Sequence, residues 1–233
     1  MKQFVLQLRR CRLGRQGQLG LGQVHVLRAA EFGLAYQAAV ASSQRAQLQL
    51  QSRQWDVAEH EAQASGDSFS AMKDTVNTLK CRAVQAEALW RGGRADAAVA
   101  LWEDTAAALL ARADETGARA ARLRVADAMS ASGRAEDSDA GLQAVLAELP
   151  FLDAVDALDT ADFGLAARLA AWRVLHRAGH PAAAGQLALA SAELEQRLNG
   201  CGDPLVRNRV RNTIPWHRDV VEALAERQPA GDH

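Results

Sequence analysis

With 233 residues, the chain is long enough to bury a substantial core in one domain or two. Hydrophobic residues make up 48% of it but aromatics only 5%, and the Ala, Leu, Arg, Gln and Glu that dominate form a helix-favouring alphabet. The formal net charge of −1 supplies no overall field to draw nucleic acid or an acidic membrane, so neither is expected as a partner.

The first 30 residues differ from the rest. Lys2, Arg9, Arg10, Arg12, Arg15 and Arg28 precede the first acidic residue, Glu31, so this segment is +6 and the remainder −7. Phe4, Val5, Leu8 and Cys11 would share one face of a short helix. Three readings stay open for 1–30: a partial upstream repeat, a flexible basic arm, or a surface helix touching membrane or nucleic acid. Basic residues without interleaved aromatics are a poor nucleic-acid pattern. Gly14, Gly17, Gly20 and Gly22 suggest flexibility rather than a phosphate cradle. No compact apolar run followed by a small-residue cleavage site opens the chain, and no stretch approaches the ~20 apolar residues of a membrane span. A bacterial-type cytoplasmic protein is expected.

From Glu31 onward the pattern is helical. No proline precedes Pro150, so nothing breaks a helix from within over the first two-thirds of the chain. The spacing predicts helices over 31–51 and 54–65, 71–91 and 95–115, 117–131 and 135–148, and 160–178 and 181–199. Four turns anchor these pairs, at Arg53, Gly93, Gly133 and Gly179, with intervals of 40, 40 and 46 residues. Seven residues before each anchor stands Ala46, Ala86, Ala126 or Trp172; five after stands Ala58, Ala98, Ser138 or Ala184. Two antiparallel helices joined by a tight turn need a small side chain where their axes approach and a residue tolerating positive φ at the turn.

In the second pair, Ala83, Ala86, Leu89 and Trp90 form a stripe facing Ala98, Leu101, Trp102, Leu109 and Leu110; the third pair closes at Pro150. The longer third interval contains 151–158, an insertion expected to form a short extra helix or turn. After the fourth pair, Asp203-Pro204 reads as an N-cap with proline at the first helical position, and a further helix runs from Pro215 to about Arg227, ahead of a frayed end. The expected organisation is therefore a basic segment over 1–30, four helix hairpins over 31–200 and capping helices over 201–233, an all-α fold.

The chain resembles the tetratricopeptide repeat. Ala86, Leu89, Gly93, Ala98 and Trp102 carry the likeness best, with Ala126, Met129, Gly133, Leu142 and Pro150 behind them, on a period longer than the family's usual 34 residues. The run Trp172 to Ala183, then Asp203-Pro204 with Arg207, then Pro215, His217 and Arg218, is similar to the close of the repeat arrays that end bacterial signalling proteins of the cyclase, AAA-ATPase and LuxR types. That resemblance implies a right-handed superhelical stack. It covers the repeat tail alone, for the family's nucleotide-binding modules have no counterpart here. The only lysines are Lys2, Lys73 and Lys80, none after a glycine, which excludes a P-loop.

Residues with chemical potential have structural accounts. His176 and His180 flank a turn without a third ligand, and Cys11, Cys81 and Cys201 are widely spaced, so neither metal nor cofactor is expected. The tryptophans at repeat positions read as interhelix packing, and Cys81 as a small buried residue. The resemblance places the concave groove one and four residues beyond each central small residue: Gln47, Leu50, Glu87, Trp90, Asp127, Ser130, Arg173 and His176. The Lys and Asn of a carboxylate clamp are missing from that set, which disfavours a C-terminal acidic peptide. Asp203, Arg207, Pro215 and Arg218 are assigned to a C-terminal cap. The expected function is a non-catalytic scaffold for a protein or peptide partner in bacterial signalling, with homo-oligomers possible through an exposed end. A small-molecule sensor using the groove, or a truncated remnant of a larger signalling ATPase, are the alternatives.

Overall fold

The computed structural model describes residues 34–154, 157–158 and 163–227. The expectations for 1–30 and for the end beyond Arg227 lie outside these residues, as do parts of the 151–158 insertion and the start of the helix expected at 160. Among the described residues there are ten helices and no strand: α1 Ala35–Gln51, α2 Trp55–Ala71, α3 Thr75–Arg91, α4 Ala95–Leu110, α5 Glu115–Ser130, α6 Ala135–Leu152, α7 Gly164–Arg177, α8 Ala183–Asn199, α9 Pro204–Thr213 and α10 Pro215–Arg227. None is long and apolar enough to cross a membrane.

The turns recur more often than the sequence anchors mark. Left-handed residues occur at Arg53, Lys73, Gly93, Ala113 and Gly133, one every 20 positions, so the 40-residue period is two successive helix-turn units. At the first four, the amide beyond the left-handed residue donates back across the turn: Gln54 to the Gln49 carbonyl, Asp74 to Phe69, Arg94 to Leu89 and Asp114 to Leu109, at 2.9–3.0 Å. Those bonds satisfy the carbonyls orphaned at each helix end. The turns at Lys73 and Ala113 escape detection by glycine because neither has one. They also correct two boundaries: α2 runs on to Ala71 rather than ending at 65, and α4 stops at Leu110 rather than 115. Asp74 and Asp114 then restart the chain as N-caps, their carboxylates accepting from the amides of Asn77 and Gly117 at 3.1 and 2.8 Å. Asn77 also holds the Asp74 carboxyl below the ordinary range through its backbone and side-chain donors.

The same 20-residue period governs packing. Ala46, Gly66, Ala86, Ala106 and Ala126 stand seven residues before successive turns, and all are buried. Ala58, Thr78, Ala98 and Ala118, five after, are buried too, whereas Ser138 is half-buried and Ala184, expected as a contact point, is exposed. Each is small because a larger side chain would hold the helix axes apart.

The chain divides into two compact units, 1–101 and 102–233, with the boundary inside α4. In the first, α2 packs against both α1 and α3, and α1 also meets α3. Ala39, Phe69 and Cys81 form a core there, and the Ser65 hydroxyl donates to the Ala39 carbonyl at 2.7 Å. Burial raises the Cys81 thiol pKa. In the second unit α5 meets α6 and α7, α7 meets α6 and α8, and α10 lies against α7, α8 and α9. Leu123, Val145, Leu152, Leu158, Val174 and Leu175 belong to its core.

Two further expectations need correction. Leu110, placed on an apolar stripe, is 50% exposed because α4 ends there. Pro150 does not close its helix, which continues to Leu152; proline sits in the last turn, where only one upstream hydrogen bond is lost. Of the 151–158 segment, 151–152 continue α6, the other described residues, 153–154 and 157–158, are turn or bend, and Leu158 is buried. Gly164 opens α7 so close to this segment that a Cβ would lie 2.2 Å from the Leu158 carbonyl oxygen, which leaves glycine the only residue that fits.

Candidate functional site

The predicted groove positions fall into different environments. In the first unit Leu50 and Glu87 are buried, Gln47 and Trp90 half-buried. Glu87 accepts from the Arg91 Nε at 2.6 Å, one turn on. In the second unit Asp127, Ser130 and Arg173 come together where α5 packs beside α7, while His176 is exposed and stacks on Trp172, ring centroids 5.2 Å apart.

Asp127 is the centre of this group. It is fully buried, yet three guanidinium groups reach it: Arg177 at 2.9 Å, Arg173 at 3.3 Å and Arg124 at 3.5 Å. A buried carboxylate without cations would carry a desolvation cost of several kcal/mol, and these arginines offset it. Arg173 also reaches Asp219 on α10 at 2.8 Å, so a single side chain bridges three helices. Arg124 lies over the Trp102 ring, 4.9 Å from its centroid.

Arg177 closes the group on the outside. Its Nη1 donates to the Asp127 carboxylate, the Asp127 carbonyl and the Ser130 hydroxyl. Its Nε and Nη2 find no hydrogen-bond partner among the described residues. The Arg177 side chain is 35% exposed and that of Arg173 24% exposed, so both are partly open to solvent. Neither Arg177 nor Arg124 is among the sequence-predicted positions. Arg177 lies four residues beyond Arg173, one helical turn on, and that spacing was a legible signal.

A second polar centre was missed altogether. Arg168 is fully buried on α7; its Nε meets Glu193 of α8 at 3.1 Å, and its Nη1 and Nη2 donate to the Leu152 and Ala154 carbonyls, each at 2.7 Å. The arginine thus caps the end of α6 and anchors the start of the irregular segment after it. Its place among Leu165, Leu169 and Trp172 puts a cation in an apolar stripe, which is the sequence signal for a buried ion pair.

The assigned cap residues occupy the two last helices and their approach. Asp203 accepts from the Leu205 amide at 2.8 Å, Arg207 donates to the Cys201 carbonyl at 3.4 Å, buried Pro215 opens α10, and half-buried Arg218 lies 3.7 Å from Glu222. Between them His217 is buried, its Nδ1 donating to the Val210 carbonyl at 3.3 Å. Burial, with help from the Arg197 charge, lowers its pKa to about 4 against the opposing hydrogen bond to Val210.

Beside the turn of α7 and α8 lies an open cleft of about 350 Å³, walled by Trp172, His176 and Leu187 and reached by Ala223 and Glu226 of α10. No group of three or more potential metal ligands occurs among the described residues. No family model matches the chain, and no curated protein or solved structure matches it either.

Proposed function

We propose that the chain is a non-catalytic, tetratricopeptide-like scaffold that holds an acidic segment of a protein partner against Arg173 and Arg177. The single observation that supports this reading is the partly exposed side chain of Arg177, held by the buried Asp127 and the Ser130 hydroxyl. A side chain already immobilised by its own carboxylate loses little further freedom when it binds a second one, and its planar fork suits a carboxylate in two-point contact. The arginines on α7 offer the positive charge and N–H donors that the Lys and Asn of a clamp offer elsewhere, so the missing clamp residues do not count against an acidic partner. The resemblance to signalling repeat arrays supports a regulatory setting in the cytoplasm.

The test is fluorescence anisotropy with labelled peptides rich in Asp and Glu, compared with peptides of the same length in which these are Asn and Gln. Acidic peptides should bind, and Arg177→Gln should weaken them about tenfold while helical content stays unchanged. Equal affinity for the amide peptides, or an unchanged affinity in Arg177→Gln, would remove the assignment.

A further inference from the structure

The cleft beside the α7–α8 turn has a cause in the repeat itself. Seven residues before the left-handed Gly179, where the other turns have Ala or Gly, stands Trp172. The indole is buried, at 8% exposure, so it occupies the space in which helix axes elsewhere approach closely. The register that starts a helix two residues past each left-handed position from Arg53 to Gly133 would begin α8 at 181; it begins at Ala183 instead. The bulky residue and the late start together leave a cavity where the regular units have contact.

Its lining decides what fits. Trp172, Leu187 and Ala223 make it apolar, and its volume of about 350 Å³ lies within the range that encloses a small organic group. Among the described residues that line the cleft, the exposed Glu226 is the one with a formal charge, and none is Lys or Arg. The Nδ1 of His180 accepts from the Ala182 amide at 3.2 Å, which occupies that ring nitrogen within the turn. An apolar cleft bordered by one carboxylate selects for a cation with an apolar body and against an anion.

We propose that this cleft binds a primary ammonium group on a short apolar stem, the stem against Trp172 and Leu187 and the ammonium on Glu226. The chemistry is shared by a free alkylamine and by the lysine side chain of a protein. The site is separate from the Arg173 and Arg177 edge, so either assignment can fail without the other.

The experiment follows the indole N–H resonance of Trp172 in the full chain, assigned by its loss in Trp172→Phe, during titration with n-pentylamine and with 1-pentanol. A saturable shift with the amine is expected, with binding about tenfold weaker for the alcohol and for Glu226→Gln. The exposed Glu226 should be replaceable without loss of fold, which circular dichroism checks. Shifts that fail to saturate, that are matched by the alcohol, or that are unchanged in Glu226→Gln would overturn the proposal. A parallel titration with N-acetyl-lysine methylamide separates the sources: tighter binding than pentylamine points to a lysine of a protein, weaker binding to a free amine, and both retain the ammonium.

Discussion

Ala113 shows what one residue contributes to this fold. Its φ of 58° places an L-residue in the left-handed region at a turn where Gly93 and Gly133 stand in equivalent positions. That conformation costs a non-glycine residue roughly 1 kcal/mol, and the larger freedom of glycine in the unfolded chain offsets part of the gain from replacing it. Ala113→Gly should therefore raise stability by about 0.5 kcal/mol, and Gly93→Ala lower it by about 1 kcal/mol, both measured by urea unfolding. His217 makes stability depend on pH. The folded state holds its pKa at about 4, below the 6.5 of an unperturbed histidine, so the unfolded chain binds more protons between those values. The neutral buried ring's contribution is complete above pH 6.5, falls as the pH drops below it, and is exhausted below about 4. The difference amounts to about 3 kcal/mol. His217→Gln should flatten that part of a stability profile taken from pH 7 to 4; an unchanged slope would show that other groups carry it.

Among elements, α7 contributes most of the polar organisation. Arg168, Arg173 and Arg177 project from it to α8, to the end of α6, to α5 and to α10. Arg168→Met would leave the Leu152 and Ala154 carbonyls unpaired and take from Glu193 one of its two cations, Arg197 being the other at 2.5 Å. A loss of about 3–5 kcal/mol in chemical unfolding is the expected result. A change below 1 kcal/mol would mean that water replaces the guanidinium easily. The helices themselves were largely legible. Ala-rich runs, Asp203-Pro204 and Pro215 marked most of them, because apolar period and capping chemistry act over a few residues. The turns at Lys73 and Ala113 were not, since a left-handed residue without glycine has little local signature, and Arg53 was placed only by its 40-residue interval from Gly93. The network around Asp127 was half legible: Asp127, Ser130 and Arg173 sit at repeat positions and Arg124 and Arg177 one turn from them, whereas the pairing of Asp127 with Arg173 and Arg177, and of Arg173 with Asp219, is made between helices.

For the molecule as a whole, units of 20 residues mean that stability is built from neighbour contacts. In the second unit α10 buries Val220 and Ala223 and lies on α7 and α8. Removing 203–233 should therefore reduce hydrogen-exchange protection in α7 and α8 while leaving α1 and α2 as protected as before. Equal loss in both places would show that the chain unfolds as one cooperative body. Sequence alone determined that the chain is helical, roughly where its helices lie, and that small residues recur at contacts, because propensity, capping and periodicity are local. Only the tertiary structure decided that the period is 20, that Arg168 and Asp127 are buried among partners, and that Trp172 borders a cleft. Burial and charge pairing depend on residues up to 50 positions apart, as Arg177 and Asp127 are, and no local pattern encodes which of them will meet.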